Sequence, residues 1–133
     1  MELGFSKPDR DRQIRRIGFL CQLLSKHGVA AIAAAISPYR AIRDEVRAST
    51  PRFVEIYVKA SLEICIQRDI KGLYSKALQG EIEKFTGVSD PYEPPLNAEL
   101  VVDTETEAPR ASASRILAKL EQIGLIVPVQ KPT

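Results

Sequence analysis

Val29-Ala-Ala-Ile-Ala-Ala-Ala-Ile36 is the run on which the reading of this chain turns. Every position is apolar, and the run lies between Gly28 and Ser37-Pro38. A short apolar run between turn signals suits a strand buried on both faces of a parallel sheet. Its alanine content leaves a helix open as the other reading.

Upstream, Ser6-Lys7-Pro8-Asp9 has the makings of a helix start. Ser6 can cap, Pro8 suits the first turn, and Asp9 favours the positive end of the helix dipole. Ile14, Ile17, Cys21 and Leu24 then recur at helical spacing, and Gly28 is a natural stop. Downstream, Arg40 to Ser49 predicts a second helix ending before Pro51. Phe53-Val-Glu-Ile-Tyr-Val58 is rich in β-formers and predicts a second strand. Ser61 caps a third helix carrying Leu62, Cys65 and Ile66 and ending near Asp69. Lys71 to Lys84 reads as a charged, weakly amphipathic helical segment between Gly72 and Gly87. Ser89 to Asn97, with Pro91, Pro94 and Pro95, is an irregular loop. Glu99-Leu-Val-Val-Asp103 is a third short strand. Ser112 to Gln122 is a last helix, with Ile116, Leu117 and Leu120 inward and Gly124 as its stop. Residues 1–126 then form one domain and 127–133 a flexible tail, frayed from Pro128 to Thr133. Strands alternating with helices argue for an α/β fold, a parallel sheet flanked by helices.

Composition sets bounds on function. The chain has 133 residues, 44% hydrophobic and 27% charged, which suits one globular domain and not a disordered segment. A net charge of +2 gives no ground for nucleic-acid binding. No apolar run approaches the roughly 18 residues of a membrane span, and Met1 to Arg16 has no apolar signal core. Cys21 and Cys65 cannot make a disulfide framework, so a cytoplasmic setting is the expectation. His27 sits at a helix C-terminus with no partner at metal spacing.

Ligands of open α/β sheets bind beyond the carboxyl ends of the strands, and three stretches meet that rule. After the apolar run come Ser37-Pro38-Tyr39-Arg40 and Arg43. Either Ser37 faces a cleft with both arginines binding anions, or it simply caps the next helix. Arg68-Asp69-Ile70-Lys71-Gly72-Leu73-Tyr74, with Lys76 and Lys84, reads either as a lid over phosphates or, more commonly, as a solvated helix face. Phe85-Thr86-Gly87 offers an aromatic that stacks on a base or plugs a small satellite core. At the N-terminus, Phe5 precedes Arg10, Arg12, Arg15 and Arg16, an arrangement that suits an anionic nucleotide or is an ordinary helix surface balanced by Asp9 and Asp11.

Taken in order, Leu3-Gly-Phe-Ser6, Asp11-Arg-Gln-Ile-Arg-Arg-Ile17, Ile36-Ser-Pro-Tyr-Arg40, Phe53-Val-Glu-Ile-Tyr-Val58, Arg68-Asp-Ile-Lys-Gly-Leu-Tyr74, Gly80-Glu-Ile82, Phe85-Thr-Gly87 and Asp90-Pro-Tyr-Glu-Pro94 closely resemble adenylylsulfate kinase. That family phosphorylates adenosine 5′-phosphosulfate on its ribose 3′-hydroxyl with ATP, and the resemblance runs from about Leu3 to Ile126. It implies a P-loop kinase-like fold, ATP and Mg²⁺ as cofactors, and a place in sulfate assimilation. It also implies a homodimer and an association with ATP sulfurylase. By resemblance, Phe5 and Phe85 sandwich the substrate adenine, and Arg10 binds the phosphosulfate side. Gln13, Ser37, Lys71 and Thr86 complete the substrate-binding set, with Lys71 in the lid. Arg68 lies where the family approaches the ATP adenine. Ser37 matches a serine described in some members as a phosphorylated intermediate, which direct in-line transfer does not need.

Two departures stand out. Gln13 replaces the family's asparagine and moves the amide by one methylene. Upstream of Leu-Gly-Phe-Ser the family carries a first strand, a Gly-x-x-x-x-Gly-Lys-Ser/Thr loop and an Asp-Gly-Asp motif, and none of these occurs in the 133 residues. The loop holds the ATP phosphates and Mg²⁺, and the Asp motif supplies the catalytic carboxylate. In the family the first strand lies between the runs that are here Val29–Ile36 and Phe53–Val58. The expectation is an exposed apolar slot between them and an inactive chain of low stability, the substrate-binding and lid part of a kinase. The alternative is a non-catalytic module or regulator that binds adenosine 5′-phosphosulfate.

Overall fold

The computed structural model describes residues 4–127. The predicted tail from Pro128 lies outside the described residues, as does Leu3. Ser6 opens helix α1 (Lys7–Lys26) as expected: its hydroxyl accepts from the Asp9 N–H and donates to the Asp9 carboxylate at 2.6 Å. Helix α1 packs on α2 (Arg40–Ser49) through Gly18. A Cβ at Gly18 would lie 2.8 Å from a Val46 methyl, so only glycine permits this approach. Gly18→Val should therefore cost about 1–3 kcal/mol through overpacking. Urea unfolding measures it, and an unchanged midpoint would contradict the close packing.

After α2 come β1 (Ile56–Lys59), α3 (Leu62–Gln67), α4 (Leu73–Leu78), β2 (Leu100–Asp103) and α5 (Pro109–Gln122). Strands β1 and β2 pair in parallel, Ile56 opposite Leu100 and Lys59 opposite Asp103. A parallel pair needs a crossover, here made by α3, α4 and the loop through the prolines. Helix α5 covers β2. Ser61 caps α3 as predicted, accepting from the Ile64 N–H at 3.4 Å.

The main departure is at residues 29–36, which form no strand. A strand exists only through ladder bonds to a neighbour, and the described residues offer none beside this run. Ile32 is 96% exposed, and Val29 and Ile36 stay in contact with solvent. The free side of β1 tells the same story. Val58 and its register partner Val102 lie on one face, yet Val58 is 62% exposed and Val102 1%. Val102 lies between β1 and α5, whereas among the described residues no further strand pairs with β1 on its other side. The buried apolar core among the described residues is accordingly small: Tyr39, Ile42, Ala77 and Val102.

Smaller corrections have local causes. The helix expected over 71–84 is confined to α4. It begins after Gly72 at φ +66°, and backbone at positive φ recurs at Gly80 and Lys84. Asp69 caps it from outside, accepting from the N–H groups of Leu73 and Ser75 at 2.8 and 2.9 Å. The predicted strands contract to residues 56–59 and 100–103, where the two segments run beside each other in parallel. Helix α5 begins at Pro109, three residues ahead of Ser112, because proline suits a first turn. Leu117 points outward, since it lies about 100° round the helix from half-buried Ile116. Leu24 is also largely exposed.

Candidate functional site

The N-terminal segment and the turn after α4 meet through one side chain. Arg10, on the first turns of α1, donates from Nε to the Phe5 carbonyl at 3.0 Å. Its two terminal nitrogens donate to the Thr86 hydroxyl and the Lys84 carbonyl. The guanidinium lies 6.0 Å from the Phe5 ring centre. Beside this clamp is an open cleft of about 450 Å³, walled by Gly4, Phe5, Ser6 and Asp9 on one side and Glu81 to Lys84 on the other. The Phe5 ring is 68% exposed and free to take a stacking partner.

Phe85 is held from behind. Tyr74 of α4 meets its ring edge-on at 4.9 Å between centroids. Its carbonyl accepts from the N–H groups of Val88, Ser89 and Asp90, forming a tight turn. That turn packs on α3, where a Cβ at Gly87 would lie 3.2 Å from Leu62. Lys71 is exposed on the turn between α3 and α4, three residues ahead of Tyr74. Gln13 is exposed on α1, one turn beyond Arg10.

A second set of contacts ties residues 37–43 to the proline loop. Tyr39 donates to Asp90 at 2.6 Å, which with burial keeps its phenol protonated up to about 12. The Glu93 carboxylate accepts from the Arg40 N–H at 2.7 Å, and the Glu93 N–H donates to the Pro38 carbonyl at 2.8 Å. Arg40 Nε donates to the Pro94 carbonyl at 2.7 Å. Arg43 donates to the carbonyls of Ser37 and Glu93 at 2.5 and 2.6 Å and pairs with Glu55 at 2.8 Å. Arg47 bridges Glu55 and Glu99, and its hydrogen bond holds the Glu99 carboxyl below the usual range.

Arg43 is taken up by the chain itself, by Glu55 and two carbonyls, and so is not a free anion binder, whereas the Arg40 guanidinium is engaged through Nε at the Pro94 carbonyl. Arg15 is likewise committed, to Glu45 of α2 at 2.7 Å. The expectation that Ser37 caps α2 also fails, since the residue at the cap is Tyr39. Ser37 instead sits at φ +41° with its hydroxyl buried and without a hydrogen-bond partner. Strain and an unsatisfied hydroxyl at one residue mark a built feature of the backbone. The sequence-predicted residues thus split. Phe5 lines the cleft, Arg10 ties Phe5 to Thr86, next to Phe85, and Ser37 belongs to the loops zipped by Arg43 and Glu93. Arg68 lies apart, bonded to the Thr104 hydroxyl and carbonyl at 2.9 and 2.7 Å. Sequence reasoning missed Glu55, Glu93 and Glu99 as anchors. For Glu55 and Glu99 the one signal was a charged residue within or beside an apolar strand run; Glu93, in the proline loop, gave none.

Among the described residues no group of three or more His, Cys, Asp or Glu side chains is placed to hold a metal ion. No helix is long and apolar enough to cross a membrane. Compared with known families, residues 1–103 match the model for adenylylsulphate kinase. The chain belongs to that family. It is 56% identical over 124 residues to an adenylyl-sulfate kinase of Gloeothece citriformis, covering 93% of this chain and 70% of the relative. The solved Mycobacterium tuberculosis APS kinase, in complex with AMPPNP and APS, superposes with a TM-score of 0.84 at 35% identity. That superposition covers 90% of this chain and 70% of the other. A hexameric APS kinase from Thiobacillus denitrificans aligns at a TM-score of 0.66 and 35% identity, over 95% of this chain and 20% of that one. Members of the family thus share the layout of helices and parallel strands described above, and the chain spans about 70% of the length of its single-domain relatives.

Proposed function

We propose that this chain is the substrate-binding and lid part of an adenylylsulfate kinase, over residues 1–126. The enzyme transfers the γ-phosphoryl group of ATP to the 3′-hydroxyl of adenosine 5′-phosphosulfate. Family membership is the observation that carries this reading. The cleft agrees with it: an exposed Phe5 ring on one wall suits a purine. The acids on the walls, Asp9, Glu81 and Glu83, favour the base end of the substrate there over its anionic end.

ATP and Mg²⁺ belong to the activity of the family. The residues of this chain do not fit the ATP phosphates or the metal, for it has no Gly-x-x-x-x-Gly-Lys-Ser/Thr loop and no described acidic cluster for a cation. No step of the transfer is therefore assigned to its residues. What they do is bind and orient: Phe5 and Phe85 flank the adenine, Lys71 closes with the lid, and Gln13 and Thr86 line the substrate. Arg68 stands toward the ATP adenine. A cytoplasmic location, a homodimer and an association with ATP sulfurylase complete the proposal.

A chain without a phosphate loop also supports a second reading, a module that binds adenosine 5′-phosphosulfate without turnover. Calorimetric titration of the purified chain with that nucleotide tests the shared part of both. Phe5→Ala and Lys71→Ala should each weaken binding by about tenfold, the scale of one lost stacking or charged contact. Unchanged affinity in both variants would remove the site.

A further inference from the structure

The backbone and the ring of Phe85 are fixed by different means. Its carbonyl accepts from Val88, Ser89 and Asp90, and its own N–H donates to the Ser89 hydroxyl at 2.9 Å. The turn is thus closed within residues 85–90. None of these bonds aims the ring, because rotation about the side-chain bonds leaves them all intact. Among the described residues the ring has one aromatic neighbour, Tyr74 of α4, at 4.9 Å between centroids and 76° between planes. In such a pair the positive rim of one ring meets the negative face of the other, which favours one mutual direction. Tyr74 is itself held. Asp69 accepts from the N–H groups of Leu73 and Ser75, on either side of it. Burial, and then a hydrogen bond to the Cys65 side chain of α3, raise the Tyr74 phenol above its usual pKa, so it stays protonated at neutral pH. Phe85 is only half-buried, so part of its ring stays open to a stacking partner.

We infer that Tyr74 is a positioning residue, which aims the Phe85 ring in the direction in which it stacks on the substrate base. This rests on the reading of Phe85 as one of the two rings that flank the adenine. A ring free to turn must be stopped when the base arrives, and that ordering costs affinity. A ring already held edge-on does not incur this cost at binding. The rival role for Tyr74 is to stiffen the turn of Lys71, three residues ahead of it. The two roles differ in the residue through which the effect passes, Phe85 in one case and Lys71 in the other.

The test is calorimetric titration of the full chain with adenosine 5′-phosphosulfate, with NMR at millimolar ligand for the weakest variants and circular dichroism as the check on folding. Tyr74→Leu should weaken binding about fivefold, the scale of one lost edge-on aromatic pair. Tyr74→Phe keeps the ring and should bind within about twofold of wild type. The loss from Tyr74→Leu should recur in full in a Lys71→Ala background. It should disappear in a Phe85→Ala background, where no ring is left to aim. A tyrosine that only supports the fold would weaken binding equally in both backgrounds, and that result overturns the inference. A loss that disappears with Lys71→Ala overturns it too, as does a loss of about fivefold in Tyr74→Phe. Wild-type affinity in Phe85→Ala defeats the reading of Phe85 as a stacking ring, and a wild type that does not bind defeats the substrate site; the inference falls with either. Should Tyr74→Leu lose its helical signal, Tyr74→Met takes its place in the same cycle and the same outcomes decide.

Discussion

Purified by itself, the 133-residue chain should form no 3′-phosphorylated product above a blank from ATP and adenosine 5′-phosphosulfate. Phosphoryl transfer asks little covalent chemistry of the protein; it asks for positioning of the phosphates and neutralisation of charge. One well-placed donor to a developing charge is worth about 10²–10³ in rate. The family's phosphate loop, its lysine, its Mg²⁺-binding hydroxyl and its Asp motif supply several such groups, and the sequence of this chain contains none of them. Joining the chain to the N-terminal third of a relative should restore turnover, because that third carries the phosphate loop and the strand that fits between residues 29–36 and β1. The same chimera should melt cooperatively and cover Ile32 and Val58, now 96% and 62% exposed. A coupled assay on both proteins decides it. Turnover by the chain alone would overturn the assignment of catalysis to the absent segment.

Arg43→Ala should be the most damaging single change to the fold. Arg43 and Glu55 are only 11% and 14% exposed, and the same guanidinium holds the carbonyls of Ser37 and Glu93. One side chain therefore joins α2, the approach to β1, the strained Ser37 and the proline loop. Removing it leaves Glu55 with Arg47 alone and the Ser37 and Glu93 carbonyls without this donor, at a cost of about 2–4 kcal/mol. Against a typical domain stability of about 5–15 kcal/mol, and with so small a buried core, that loss should leave much of the chain unfolded. Arg43→Lys should recover little, since one ammonium cannot serve three acceptors on different segments. Urea denaturation, in the chain or in the chimera, measures the effect. A loss under about 1 kcal/mol would mean that water replaces these bonds readily.

The sites differ in how far they could be read in advance. The ordered motifs that carry the family resemblance put Phe5, Phe85 and Arg10 on one list of candidates, and the fold brings Arg10 to the Phe5 carbonyl and to Thr86, next to Phe85. That Arg10 spends its donors on Phe5, Lys84 and Thr86 was not legible, because those acceptors lie far off along the chain or are backbone atoms. Arg43 misled for the same reason. An arginine in sequence carries its charge openly, and whether a ligand or Glu55 takes the charge of Arg43 is decided by segments that meet only in the fold.

The amino-acid sequence determined by itself what depends on near neighbours. Helix α2 spans Arg40 to Ser49 as the pattern predicts, Ser6 and Ser61 cap where they stand, and Asp69 caps α4 from four residues ahead of Leu73. Each is a bond or a periodicity closed within a few residues. Only the tertiary structure decided the fate of Val29–Ile36. Its apolar residues and its place between turns are those of a buried strand, but a strand is a relation between two chains. Strand β1 has β2 beside it, and the run at 29–36 has no such neighbour among the described residues.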